Sequence, residues 1–175
     1  LFSQSNTLFS PTILRLATVC GPSLRHRFDL VVNTFARNAF FNKEINVHGG
    51  DQSRPNVHVD DVANAIIKII DSPLEKVEKQ IFNLCNESQN FSIIEIAKMT
   101  QSIFPKCKII TDDNVDDLRD YRVSSKKIKN KINFEANKTI IDVLNAFKKI
   151  FEKEKNFDAY QKKFSNFATL SNEKQ

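Results

Sequence analysis

The chain has no tryptophan, a single methionine and only three glycines, Gly21, Gly49 and Gly50, in 175 residues. That scarcity excludes a G-x-G-x-x-G dinucleotide turn and a phosphate-cradling P-loop, which both need clustered glycines where backbone approaches phosphate. Cys20, Cys85 and Cys107 are odd in number and far apart, with no C-x-x-C pair. They exclude a disulfide framework and read as buried thiols of a reducing cytoplasm. No G-x-S-x-G, no H-E-x-x-H and no Cys/His cluster occurs, and His26, His48 and His58 are too scattered to argue a metal site. No apolar run approaches a membrane span, and the start lacks the charged-then-apolar order of a signal peptide. Neither a metal nor a membrane is therefore expected as a partner.

What is present describes a soluble globular protein: 41% hydrophobic and 27% charged residues, at a length that can bury one core. The net charge of +5 comes mainly from lysines beyond Arg122. A solvated helix face accounts for them; nucleic-acid binding is the alternative, but no known binding module matches and no nucleic-acid partner is predicted. The chain opens at Leu1, within ten or so residues of a core strand, which predicts a segment of a longer protein.

The stretch Gly49–Ile67 organises the rest. Gly49-Gly50 reads as a tight turn, Arg54 follows beside the stiff Pro55, and Asn56–Val59 alternates like a short strand. Asp60-Asp61 supplies capping carboxylates for a helix with Val62, Ile66, Ile69 and Ile70 as its apolar stripe. Arg54 is placed to grip an anion in a bidentate way; the alternative is a surface pairing with Asp51 or Asp60. Upstream, Thr12–Val19 reads as a buried strand whose exit, Thr18 and Val19, lies where α/β sheets bind ligands. A helix runs from Asp29 to about Phe41, with Val31, Phe35 and Ala39 buried and Asn33 and Arg37 on another face. Glu44–His48 is a strand. Ile81–Cys85 and Cys107–Thr111 are further strands, and Ser92-x-x-Glu95 and Thr139-x-x-Asp142 are capping boxes opening helices. Phe157, Tyr160, Phe164 and Phe167 recur at helical spacing near the end.

Three ordered segments carry a resemblance. R-x-x-V-H-V-x-D-V-A from Arg54, LRLATVCGP over Leu14–Pro22, and the intervening FDLVVNTFARNAFFNKEINVHGG resemble the extended short-chain dehydrogenase/reductases. The match is in particular to NAD-dependent nucleotide-sugar epimerases and dehydratases, over roughly Pro11–Phe151. The resemblance implies an α/β fold: the carboxyl-terminal part of an extended Rossmann-type enzyme with its small mixed α/β substrate-binding lobe. Residues 1–155 would be that part, lacking the amino-terminal Rossmann half, and 156–175 a polar terminal helix or tail. It implies a nucleoside-diphosphate sugar as partner, NAD held mainly by the other half, a homodimeric parent and cytoplasmic residence. Thr18, Leu30, Asn33, Asn46, Val47, Arg54, Arg119 and Arg122 would contact the nucleotide-sugar, Asn46 and Val47 through main-chain groups, and Thr18 and Val19 would lie by the cofactor. For Asn33, plain solvation is the alternative.

The chain departs from the family at informative places. Thr18 stands where the family has Asn, Cys20 where it has Tyr, and the family's Tyr-x-x-x-Lys proton-transfer pair is missing, so no catalytic residue is assigned. Aspartates fill the position of a late arginine that meets the diphosphate, leaving Arg119 or Arg122 to substitute. A non-catalytic sugar-nucleotide or protein-binding module is therefore the second reading.

Overall fold

The computed structural model describes residues 9–112, 120–154, 157–166 and 169. Strands β1 (Ile13–Leu16), β2 (Thr18–Cys20), β3 (Glu44–His48), β4 (Ser53–His58), β5 (Ile81–Leu84), β6 (Asn90–Ser92) and β7 (Lys108–Asp112) alternate with helices. The helices are α1 (Val31–Phe41), α2 (Val59–Ile70), α3 (Leu74–Val77), α4 (Ile93–Ile103), α5 (Lys126–Ile132) and α6 (Ile140–Lys153). The α/β class expected from the sequence is what the chain adopts.

Three small sheets result. β1 pairs parallel with β5, β3 parallel with β7, and β4 lies between a parallel β2 and an antiparallel β6. The single strand expected over Thr12–Val19 is thus two. At Ala17 the chain changes partner: its N–H still donates to Leu84 O (2.9 Å), while Thr18 already faces Asn56 of β4. Parallel strands need crossover helices, which is why every parallel neighbour here is distant in sequence.

Two cores form. The larger packs α1, α4 and α6 over β3, through Val32, Ala36, Ile45, Ile96, Leu144 and Phe147. The smaller joins Val57, Ala65, Phe82 and Leu84 to Ile128 and Ile132 of α5. Both expected capping boxes form: Ser92 with Glu95, and Thr139 with Asp142.

Several details differ from the expectation. The cap of α2 is His58, whose Nδ1 accepts from Asp60 N–H at 3.0 Å, while Asp61 turns inward and accepts from Lys138 N–H at 3.0 Å. Ile66 (45% exposed) and Ile70 (75%) lie outside the core, because the inward side of α2 is set by Asp61 and Ala65 against β2 and β4. Apolar residues wrap too far around this helix for the described chain to cover them all. The Phe157–Phe164 spacing is not helical either. Those residues turn into a short 3-10 segment at Lys162–Phe164, and Phe28 N–H donates to Phe164 O (2.8 Å), so rings rather than a helix face fill the core. Among the described residues no helix is long and apolar enough to cross a membrane.

Candidate functional site

A cavity of about 330 Å³ opens where β2, β3 and β4 meet the amino end of α1 and the start of α4. Leu30, Val31, Phe35 and Ile93 give it an apolar wall; Thr18, Asn46, His48, Gln52, Asp29 and Arg54 supply the polar groups. Each polar group is set by its element. Thr18 stands in β2, opposite Asn56 of β4, and Asn46 and His48 fall on the same side of β3 by its two-residue alternation. Gln52 holds the Gly49-Gly50 turn: its Oε1 accepts from Gly50 N–H (2.6 Å) and its Nε2 donates to His48 O (2.9 Å). Glycine is required at Gly50, where φ is +128° and a Cβ would meet Ile94 Cβ at 3.3 Å.

Arg54 is the central charge. It sits inside β4 rather than in a turn, is only 9% exposed, and donates from Nη1 to Ser53 O at 2.9 Å. Its guanidinium carbon lies 5.8 Å from the centre of the Tyr121 ring. Among the described residues lining the cavity the one carboxylate, Asp29, is already occupied: Arg27 grips it at 2.8 and 3.1 Å, and Asn166 N–H donates to it at 2.9 Å. Burial opposes ionisation of Asp29, but these donors outweigh it and hold its carboxyl below the ordinary range. A buried guanidinium is costly unless it has anionic or dipolar partners; Arg54 has the Ser53 carbonyl, and the Asp120 carboxyl, held below its ordinary range by Ser53 N–H, is lowered further by Arg122 and Arg54.

The other expected residues lie variously. Thr18, Leu30, Asn46 and Arg54 line the same cavity. Val47 turns its side chain into the larger core, and its backbone is in register with Thr111 of β7. Val19 packs on the smaller core beside Val57. Arg122 is exposed and outside the cavity lining, and Arg119 falls outside the described residues. Asn33 is on the buried side of α1, not on a second face: it is 1% exposed, and its Oδ1 accepts from Gly21 N–H at 3.0 Å. The cause is the turn before α1, where Gly21 takes φ +119° and aims its N–H at the helix.

Residues that the sequence did not flag complete the wall. Gln52 had a local signal, a long amide two residues after a glycine pair. Ile93 had none, since it arrives from a helix more than thirty residues further along. His48 lies 3.7 Å from Asp112 through Nδ1 at the outer end of β3. Lysines of α5 serve the fold: Lys129 pairs with Glu135 at 2.7 Å and Lys127 donates to Ile81 O at 2.9 Å. No group of three or more His, Cys, Asp or Glu suited to a metal occurs among the described residues.

Residues 2–85 match the model of the NAD dependent epimerase/dehydratase family. Solved structures share the fold. UDP-glucose 4-epimerase from Thermotoga maritima, with UDP-glucose, is 22% identical at a TM-score of 0.70, covering 83% of this chain and 47% of its own. dTDP-glucose 4,6-dehydratase from Bacillus anthracis, in complex with NAD, is 19% identical at 0.64, covering 82% and 45%. RMD from Pseudomonas aeruginosa, complexed with NADPH, is 21% identical at 0.67, covering 81% and 48%. The chain spans about half the length of these proteins.

Proposed function

From the match of residues 2–85 to the model of the NAD dependent epimerase/dehydratase family, we propose that the chain belongs to that family and that the cavity at Arg54 takes a nucleoside-diphosphate sugar. The chain would then be the substrate-binding half of an enzyme that works through a transient keto-sugar. The observation that carries this is a nearly buried arginine lining a cavity of about 330 Å³ together with amide and apolar side chains. The guanidinium fork would hold the diphosphate, Asn46 and Gln52 offer amides to polar parts of the guest, and Leu30 and Ile93 give apolar contact. Thr18, at the sheet end of the cavity, would face the reacting sugar.

The described residues do not fit a dinucleotide by themselves. The chain's three glycines are Gly21, Gly49 and Gly50, and none sits at the amino end of a helix, where a pyrophosphate would be received. NAD would belong to residues outside this chain, and no chemical step is derived through it. The part played by this chain is to bind and orient.

Arg54→Ala tests the reading. A charge-assisted hydrogen bond contributes about 1.5–3 kcal/mol, so affinity for UDP-glucose should fall roughly tenfold to a hundredfold. Arg54→Lys should restore part of the loss, since an ammonium replaces the charge but not the planar fork. Equal affinities for all three proteins would remove Arg54 from the site.

A second reading, a non-catalytic sugar-nucleotide or protein-binding module, is favoured by the cavity's lack of any nucleophile-and-base pair among the described residues. It predicts the same loss of affinity but no turnover in the intact protein supplied with NAD.

A further inference from the structure

The loop before α1 carries a histidine inside a cluster of rings. The centre of the His26 ring lies 5.4 to 5.6 Å from those of Phe28 beside it, Phe147 of α6, and Phe157 and Phe164 of the segment 157–166. Its Nδ1 accepts from Ser23 N–H at 3.1 Å, so in the neutral ring the proton sits on Nε2. The segment 157–166 is fastened to the same loop and to the end of α1. Phe28 N–H donates to Phe164 O at 2.8 Å, Asn166 N–H to Asp29 Oδ2 at 2.9 Å, the Tyr160 hydroxyl to Asn42 Oδ1 at 2.5 Å, and Arg25 Nε to Lys163 O. Phe28 leads directly into Asp29, Leu30 and Val31, which line the cavity.

We propose that residues 157–166 are a clasp on the amino end of α1 that protonation of His26 loosens, slackening the cavity wall at Asp29–Val31. The second proton has to go onto Nδ1, where it removes the acceptor of Ser23 N–H and sets two N–H groups against each other. The charge then lies among four phenylalanine rings, which draw a cation through their faces but do not replace its lost hydration in full. Among the described residues two charged groups act on the ring from the elements packed against it: Glu154 at the end of α6 favours the charged form, and Lys163 of the clasp opposes it. Burial is the largest influence and holds His26 below its ordinary value. Asp29, held low by Arg27 and Asn166 N–H, stays ionised where His26 titrates. A histidine held below its free value, near 6.5, contributes its full stabilisation above that pH and loses it as pH falls towards the native value. The clasp is therefore closed in neutral solution and loosens towards pH 5, whatever the cavity binds.

Hydrogen exchange followed by NMR on the full chain, at pH 8 and pH 5 and corrected for intrinsic rates, reads the clasp at the amides of Phe28 and Asn166. It reads the wall at Leu30, whose N–H donates to Arg27 O at 3.2 Å. Protection of all three should fall about three- to tenfold from pH 8 to pH 5, within the limit of about tenfold per pH unit that one proton sets. Ile94 N–H, bonded to Gly50 O at 2.9 Å beside the lining residue Ile93, should keep its protection. His26→Phe keeps a ring in the cluster and His26→Gln keeps an uncharged acceptor; in both, the pH dependence should vanish. The His26 ring protons of wild type should titrate with a midpoint below about 6.5. Equal protection at the two pH values, a pH dependence that persists in the variants, or a His26 midpoint at or above the free value would each overturn the proposal. A fall at Ile94 as steep as that at Phe28 would do so too, since it would assign the change to loosening of the whole fold.

Discussion

Replacing Asn33 by alanine should destabilise the fold while sparing the guest site. The side chain is 1% exposed, and its Oδ1 accepts the N–H of Gly21, itself buried, at 3.0 Å. Removing the amide strands that N–H away from water. The backbone cannot turn to find another acceptor cheaply, because Gly21 holds φ +119° and is packed against His58 and Val59. An orphaned buried donor costs about 1–3 kcal/mol. With a urea dependence of about 2 kcal/mol per molar, the unfolding midpoint should drop by about 0.5–1.5 M. Asn33→Asp keeps an acceptor oxygen and should recover the Gly21 bond, though it buries a charge. If Asn33 instead contacted a nucleotide, Asn33→Ala would leave the urea midpoint within a few tenths molar of wild type and weaken UDP-glucose binding. That pair of results would refute the reasoning.

Three further outcomes are expected. Burial pushes the Cys20 thiol up to about 12 and raises Cys85 and Cys107 as well, so a thiol reagent at pH 8 should find no rapidly reacting cysteine in the native chain and three after denaturation. One fast native thiol would contradict this. Backbone N–H groups hold the carboxyls of Glu95 (from Ser92) and Asp142 (from Thr139) below their ordinary range, and the Ser124 hydroxyl does so for Glu87. A depressed carboxyl contributes stability that is present above its unfolded pKa, near 4. That contribution is lost as pH falls through the lower native value. The urea midpoint should therefore fall between pH 5 and pH 3, less steeply in Asp142→Asn; a flat profile would count against the assignment. Finally, the 175-residue chain alone should show no stoichiometric NAD binding by calorimetry, and clear binding would show that a dinucleotide turn had been overlooked.

Local rules carried much of the fold. β3 has the bounds Glu44–His48 expected of it, and both capping boxes form because each is written within four residues. What escaped were features decided by distant partners. Nothing in LRLATVCGP announces that β1 follows β5 and β2 follows β4, so the break at Ala17 is invisible in the sequence. Asn33 reads from the sequence as a nucleotide contact or as a solvated amide; its burial depends on a glycine twelve residues earlier adopting positive φ. The isoleucines of α2 satisfied a helical stripe, yet which of them faces inward is set by β2 and β4. Of the site, Thr18, Leu30, Asn46 and Arg54 were legible through the resemblance and share one cavity, whereas Ile93 and Phe35 enter it only through tertiary packing.

The parallel pairings also set a timetable. Ile13 of β1 finds its partner in Ile81, and Glu44 of β3 in Lys108. No two strands joined by a tight hairpin exist among the described residues to nucleate a sheet locally. Ordering such distant pairs requires loop-closure entropy to be spent before any contact repays it, which slows folding. During synthesis at about 5–20 residues per second, β1 would be made roughly 3–14 s before β5. For that interval an apolar strand with open hydrogen-bonding edges is exposed to every other nascent chain. The topology that gathers Thr18, Asn46 and Arg54 around one cavity thus lengthens the interval in which a newborn strand has unpaired edges.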